Sequence, residues 1–232
     1  MKPFSPATSP WFASRLWFTN LGFASLWFAS LPLLAATLDV SVRDAAGAPV
    51  DNAVVYAMRA GGAPPERPAA AVTAPAMDQK NQQFVPYVLP VRTGSAVLFP
   101  NSDNIQHNVY SFSTAKPIDL KLFGRNKTHQ VQFDQPGVVA LGCNIHDWML
   151  GFVLVLDTPY FARTGRSGMV SLRDLPAGEY TLHVWQPNLQ DGDQPQQKLI
   201  LGAADAGSAE LKVKALKPDR RKPTPSNPFY NN

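Results

Sequence analysis

The sequence GCNIHDWM, residues 142–149, places a thiol, an imidazole and a thioether three residues apart, on Cys143, His146 and Met149. Two residues between the cysteine and the histidine let the chain turn at the end of a strand and bring both side chains to one point. A second imidazole, His107, lies upstream. Because a short loop cannot surround an ion by itself, we expect His107 to reach the same point from a neighbouring strand.

Two imidazoles, one thiolate and one thioether form the ligand set of a mononuclear blue-copper site. Sulfur donors favour Cu(I) and imidazole suits both oxidation states, so this mixed set lets one ion change oxidation state with little rearrangement. Taken singly, a cysteine is most often a small buried apolar residue, and a methionine most often fills a gap in a core. The same ligands also accept zinc. The interpretation therefore depends on the strands around the motif.

The segments on both sides of the motif have the composition of strands. Residues 133–142 read as a turn followed by a strand, residues 150–156 as a second strand, and residues 94–103 as a strand that leads toward His107. The apolar runs 138–141 and 152–156 are continuous, as in strands that are buried on both faces. A second sandwich that covers one face would explain these runs, and so would a homodimer contact.

This order resembles that of the cupredoxins: a strand ending in Phe-x-Asn-x-Asp (99–103), a His-Asn pair, a Pro-Gly turn, and then Cys, His and Met on one loop. The ligand spacing is similar to that of amicyanin-like members. The sequences CNIHDWM and DTPYF (157–161) are similar to those of periplasmic proteins described as methylamine-utilisation or plastocyanin-like. The resemblance covers a domain of about residues 76–157, for which it implies a Greek-key β-sandwich.

The resemblance also implies residue roles. One type 1 copper ion would be held by His107, Cys143, His146 and Met149. Asn108 would tie the two ligand loops together, as outer partners of metal sites do. Electrons would leave through the edge of His146, with Trp148 beside it as a possible exit surface, toward a redox partner such as a periplasmic dehydrogenase or a cytochrome.

The N-terminal residues 1–36 read as a signal peptide for export to the periplasm. Lys2 and Arg15 are the only charged residues before Asp39, and the segment ends in two small residues, Ala35 and Ala36. An uncleaved membrane anchor facing the periplasm is the alternative, because about 20 apolar residues can span a bilayer. The single cysteine has no partner for a disulfide in an oxidising compartment, and metal ligation would give it a role.

Two further segments, 37–62 and 160–216, carry alternating patterns and turns that predict strands. They resemble the beginning and end of a carboxypeptidase-regulatory-like (transthyretin-like) sandwich, with Asp-x-x-Gly-x-Pro-Val at 44–50 and Leu-Pro-x-Gly-x-Tyr at 175–180. We expect them to pair with one another around the inserted cupredoxin domain. Within them, residues 186–198 predict a loop and residues 208–216 a last strand. The basic, proline-rich residues 217–232 predict a disordered tail, or else a contact with an acidic partner or lipid head groups.

No segment after residue 36 shows helical periodicity, so the predicted class is all-β. Residues 1–36 contain two of the 21 basic residues and none of the 17 acidic ones, and their loss would lower the formal net charge from +4 to +2. That charge does not indicate a nucleic-acid-binding protein. No phosphate loop or hydrolase motif is present. His129 and His183 lack partner motifs. We therefore expect an electron carrier and not an enzyme, with a binding module or a copper storage or delivery protein as alternatives.

Overall fold

The computed structural model describes residues 35–61, 74–214, 216–219 and 221. Residues 1–34 of the predicted signal peptide lie outside this set. Ala36, at the end of that predicted segment, is already the first residue of a strand and is fully buried. Most of the predicted tail also lies outside the described residues. The part that is described includes Arg221, whose guanidinium carbon lies 3.4 Å from the centroid of the Tyr87 ring.

The described residues form strands and no helix, which confirms the all-β prediction. Over this same part of the chain there is accordingly no helix that is long and apolar enough to cross a membrane. The strands are β1 (Ala36–Arg43), β2 (Val54–Arg59), β3 (Asp78–Lys80), β4 (Gln83–Val85), β5 (Val88–Arg92), β6 (Ser95–Pro100), β7 (His107–Ser111), β8 (Ile118–Phe123), β9 (Thr128–Phe133), β10 (Gly137–Gly142), β11 (Leu150–Leu156), β12 (Phe161–Arg163), β13 (Met169–Leu175), β14 (Gly178–Trp185), β15 (Gln196–Leu201) and β16 (Ala206–Lys212).

Strands β3 to β11 form a two-layered sandwich, called the central sandwich below. One layer is a five-stranded sheet in the order β5-β11-β10-β7-β8. The other contains the pairs β3–β4 and β6–β9, joined by single parallel bridges between Ala76 and Leu98 and between Gln79 and Asn101. The chain changes layer five times: before and after β5, between β6 and β7, between β8 and β9, and between β9 and β10. Three neighbouring pairs, β5–β11, β7–β10 and β6–β9, are therefore distant in sequence, as in a Greek key.

Apolar side chains from both layers meet in the core of the central sandwich. Val97 and Phe99 of β6 pack in the same buried cluster as Val139 of β10 and Val153 of β11. Cys143 and Met149 also belong to this cluster. The ligand loop, defined here as residues 143–149, is therefore held at the end of the core by the two strands that it connects.

The segments before and after the central sandwich form a second, flanking sandwich. Its sheets have the orders β13-β1-β16 and β12-β2-β14-β15. Strand β1 runs antiparallel to β13 and parallel to β16. Leu38, Val40 and Val42 of β1 are buried in its core, as the alternating sequence predicts.

The continuous apolar run of β11 has a direct explanation in the packing of the two sandwiches. Val153 and Val155 point into the core of the central sandwich. Leu154 and Leu156 belong to a separate buried cluster with Val54 of β2, against which Trp185 of β14 packs. The flanking sandwich therefore covers the outer face of β11, and no homodimer contact is needed to bury this run. Strand β10 differs: Val138 on its outer face is 37% exposed.

Candidate metal centre

The predicted ligands come from three places at one end of the central sandwich. His107 is the first residue of β7. Cys143 follows the last residue of β10, and Met149 precedes the first residue of β11. Since β10 pairs with both β7 and β11, the sheet brings the two parts of the motif together although they are far apart in sequence.

His107, Cys143 and His146 form a compact, buried group. One donor atom from each, a ring nitrogen or the thiol sulfur, lies within 4.8 Å of the other two. The sulfur of Cys143 is 3.8 Å from Nδ1 of His107, and the centroids of the two imidazole rings are 5.1 Å apart. The three residues are 0%, 2% and 8% exposed, respectively. The structure thus places three of the four predicted ligands around one point.

The Nδ1 atom of His146 is buried and has no hydrogen-bond partner among the described residues. Leaving a buried polar atom unpaired costs about 1–3 kcal/mol. Burial, followed by the nearby His107, lowers the pKa of His146, so its ring is held in the neutral form that ligates metals. An unpaired nitrogen beside a thiol and a second imidazole fits a metal ligand better than it fits a core residue.

The Cys143 thiol lies in surroundings that favour the thiolate. Burial alone raises its pKa, but a hydrogen bond with His107 and backbone hydrogen bonds from Ile145, Asn108 and His146 outweigh burial. The net result is a pKa below the usual value for a thiol. Because the thiolate and not the thiol binds metal, this environment prepares the donor.

The second nitrogen of His107 contacts a carboxylate that the sequence motif contained but to which we assigned no role. Nε2 of His107 is 2.8 Å from Oδ2 of Asp103. Burial acts to lower the pKa of His107, but hydrogen bonds with Cys143 and Asp103 outweigh it and raise the pKa. The signal was the Asp of Phe-x-Asn-x-Asp, four residues before the histidine.

The remaining predicted residues surround this group. Oδ1 of Asn108 accepts a hydrogen bond of 2.8 Å from the Asn144 backbone N–H, which joins β7 to the ligand loop. Met149 is 1% exposed, and its backbone N–H donates to the His146 carbonyl over 2.9 Å, closing the turn of the loop. The Trp148 ring lies 5.0 Å from the His146 ring and is partly exposed, whereas Ile145 is 52% exposed.

Comparisons with known proteins identify similar folds among solved structures. No protein-family model matches the chain. No curated protein matches it. A variant of amicyanin in a reduced Cu(I) form at pH 4 is 20% identical over 44% of this chain and 99% of amicyanin, with a TM-score of 0.35.

Two other solved structures match the chain at similar levels. A purple cupredoxin from Nitrosopumilus maritimus is 23% identical over 35% of this chain and 96% of that one, with a TM-score of 0.31. The Cu-containing nitrite reductase NirK from Thermus scotoductus SA-01 is 22% identical over 36% of this chain, with a TM-score of 0.35. This chain spans only 22% of that reductase.

Proposed function

We propose that this protein binds one copper ion through His107, Cys143 and His146, with Met149 as a weaker fourth ligand, and that it carries electrons and is not an enzyme. The observation that carries the proposal is the unpaired, buried Nδ1 of His146 in a group whose donor atoms lie within 4.8 Å of one another. Bound copper would supply one-electron chemistry by alternating between Cu(I) and Cu(II).

The donor types support copper over harder metals. Thiolate and imidazole together suit copper and zinc, whereas magnesium, calcium and manganese prefer oxygen ligands. The carboxylate at the site, Asp103, contacts a histidine and is thus positioned as a partner of a ligand. Met149 is buried in the same core cluster as Cys143 and would supply the weak thioether ligand that type 1 copper sites commonly have.

The residues around the donors determine what can reach the site. The three donor residues are buried, and His146, at 8%, is the most exposed of them. The Trp148 ring lies beside the His146 ring, and Ile145, the preceding residue of the loop, is 52% exposed. We propose that a redox partner protein, such as a dehydrogenase or a cytochrome, contacts the edge of His146 and exchanges electrons there.

The setting of the protein is also part of the proposal. We propose that residues 1–36 direct export, that the protein works in the periplasm, and that it is of the methylamine-utilisation-like type. The flanking sandwich would be of the carboxypeptidase-regulatory-like kind. These steps are supported by the sequence patterns and resemblances given above.

The test is a visible absorption spectrum of the purified protein with one equivalent of Cu(II). We expect an intense blue band that ascorbate bleaches, because a thiolate bound to Cu(II) absorbs strongly. Cys143→Ser is expected to remove the band, and His129→Asn, a matched change of a histidine outside the site, is expected to keep it. A wild-type protein that stays colourless and retains no copper would refute the proposed function.

A further inference from the structure

The carboxylate of Asp103 contacts the proposed copper ligand His107 but is not itself one of the proposed ligands. We propose that Asp103 is a positioning residue, which holds His107 with its proton on Nε2 and Nδ1 free for the metal, and which thereby favours Cu(II) over Cu(I). This proposal rests on the copper site proposed above. It concerns how the chain orients one ligand and how that orientation sets the reduction potential.

The tight turn between β3 and β4 fixes the carboxylate from one side. Lys80 pairs with Gln83, and the two residues between them, Asn81 and Gln82, have φ angles of 54° and 56°. Their backbone N–H groups donate to Oδ1 and Oδ2 of Asp103 over 2.6 and 2.8 Å. Turns of this kind usually contain glycine, and here a glutamine takes the left-handed conformation. The turn therefore directs two donors at one carboxylate.

The backbone of Asp103 is fixed from the other side. Its N–H donates to Oδ1 of Asn101 over 2.9 Å. The amide nitrogen of Asn101 in turn donates to the carbonyls of Ile105 and Phe123 over 3.0 and 2.9 Å. The Asp103 side chain is 13% exposed. These contacts lie entirely within the protein, so the carboxylate is held in place without help from a metal.

A fixed carboxylate determines which nitrogen of His107 carries the proton. Oδ2 of Asp103 is 2.8 Å from Nε2, and a carboxylate can only accept, so the N–H must be on Nε2. In the neutral ring the other nitrogen, Nδ1, which is 3.8 Å from the Cys143 sulfur, then has a free lone pair. Such a carboxylate also makes the imidazole a more basic ligand. A more basic ligand stabilises the ion of higher charge, which is Cu(II).

The variant Asp103→Asn tests the proposal at nearly constant volume. Its amide offers one acceptor oxygen where the carboxylate offers two, and three donors converge on this position. The matched control is Ser102→Ala. Ser102 is the adjacent residue of the same loop, and its hydroxyl donates to Asp78 over 2.7 Å.

Two measurements are made on the wild type and on both variants. The first, on metal-free protein, is the nitrogen chemical shifts of the His107 ring at a pH where the ring is neutral. We expect the proton on Nε2 in the wild type and in Ser102→Ala, and a shift toward the other tautomer in Asp103→Asn. The second is the affinity for Cu(II) and for Cu(I), each measured by competition with a chelator.

We expect Asp103→Asn to bind Cu(II) about 10–100-fold more weakly, as is usual for loss of an outer partner, and to lose less affinity for Cu(I). Each tenfold difference between the two losses raises the reduction potential by about 59 mV. Ser102→Ala is expected to leave the ratio of the two affinities unchanged.

The outcomes separate this inference from the proposed function. A wild-type His107 with its proton on Nδ1 overturns the inference even if Asp103→Asn does not fold. If the wild type forms the blue site and Asp103→Asn keeps both the tautomer and the affinity ratio, the inference fails and the copper site stands. A wild type that retains no copper overturns the proposed function and the effect on the potential, while the nitrogen shifts still decide the tautomer.

Discussion

A methyl group added at Gly151 tests the packing that holds the end of the ligand loop. Gly151 lies on β11, two residues after Met149, and faces Phe84 of β4 in the other layer of the central sandwich. A Cβ built at this position would lie 2.7 Å from Cβ of Phe84 and 3.1 Å from its Cγ. Carbon atoms in good contact are about 3.5–4.0 Å apart. One of the layers must therefore move by close to 1 Å.

Phe84 cannot move aside easily, because the nearest atom is next to its backbone and the residue is 2% exposed. Forcing an extra carbon into a packed core costs about 1–3 kcal/mol. For a chain of this size, each kcal/mol lowers the melting temperature by about 2–4 °C. We therefore expect Gly151→Ala to lower the free energy of unfolding by about 1–3 kcal/mol and the melting temperature by about 2–12 °C.

The measurement is urea unfolding of metal-free protein, followed by circular dichroism, with Gly165→Ala as the matched control. A Cβ at Gly165 would meet nothing within 4 Å, and its φ is outside the left-handed region. Replacing such a glycine restricts the unfolded chain and stabilises by about 0.4–1 kcal/mol. The two substitutions should therefore have opposite signs. If Gly151→Ala is as stable as Gly165→Ala, that result would contradict the close contact between Gly151 and Phe84.

Two further predictions concern the contact between the sandwiches and the acidic limit of stability. Leu154→Ala should lower the free energy of unfolding by about 2–5 kcal/mol, since Leu154 is 5% exposed and packs between the sandwiches. Leu122 is 52% exposed, so the control Leu122→Ala should change the free energy of unfolding by under about 0.5 kcal/mol. Urea unfolding of both variants checks this. The pKa of Asp103 is lowered: burial raises it, but hydrogen bonds with Gln82, His107 and Asn81 outweigh burial. The contribution of the Asp103 carboxylate to folding stability is therefore present above the unfolded pKa of about 3.9, and it is lost as the pH falls through the lower folded pKa. In acid titrations between pH 5 and 2, the metal-free wild type should lose more stability than Asp103→Asn. Equal losses in the two proteins would contradict this prediction.

The sequence predicted the donor group because its spacing and its flanking strands were both informative. The interval between Cys143 and His146 fits one loop, and the strands before and after it place that loop at the end of a sheet. The partner of His107 was harder to predict. Asp103 was visible in the motif, but its role depends on the turn at Asn81 and Gln82, which approaches only in the folded protein.

Strand boundaries were predicted best where one face is buried. Strand β1 alternates because its inner residues enter the core of the flanking sandwich. Strand β15, Gln196–Leu201, lies at the edge of its sheet, and only Leu201 is buried. It therefore lacks alternation, and the first part of it was predicted as loop. The last strand was predicted at 208–216, but β16 is Ala206–Lys212, because its hydrogen bonds with β1 begin at Thr37 and Ala206.

The pairing of β1 imposes an order on how the molecule can assemble. Both neighbours of β1, strands β13 and β16, come after the central sandwich in the chain, whereas the strands of the central sandwich pair only with one another. Among the described residues, the pairing strands of β1 are therefore synthesised only after the central sandwich. Once that sandwich has folded, it brings the two outer segments together and shortens the loop that β1 and β13 must close, which lowers the entropy cost of closure. His107, Cys143 and His146 can therefore meet before the flanking sandwich is complete.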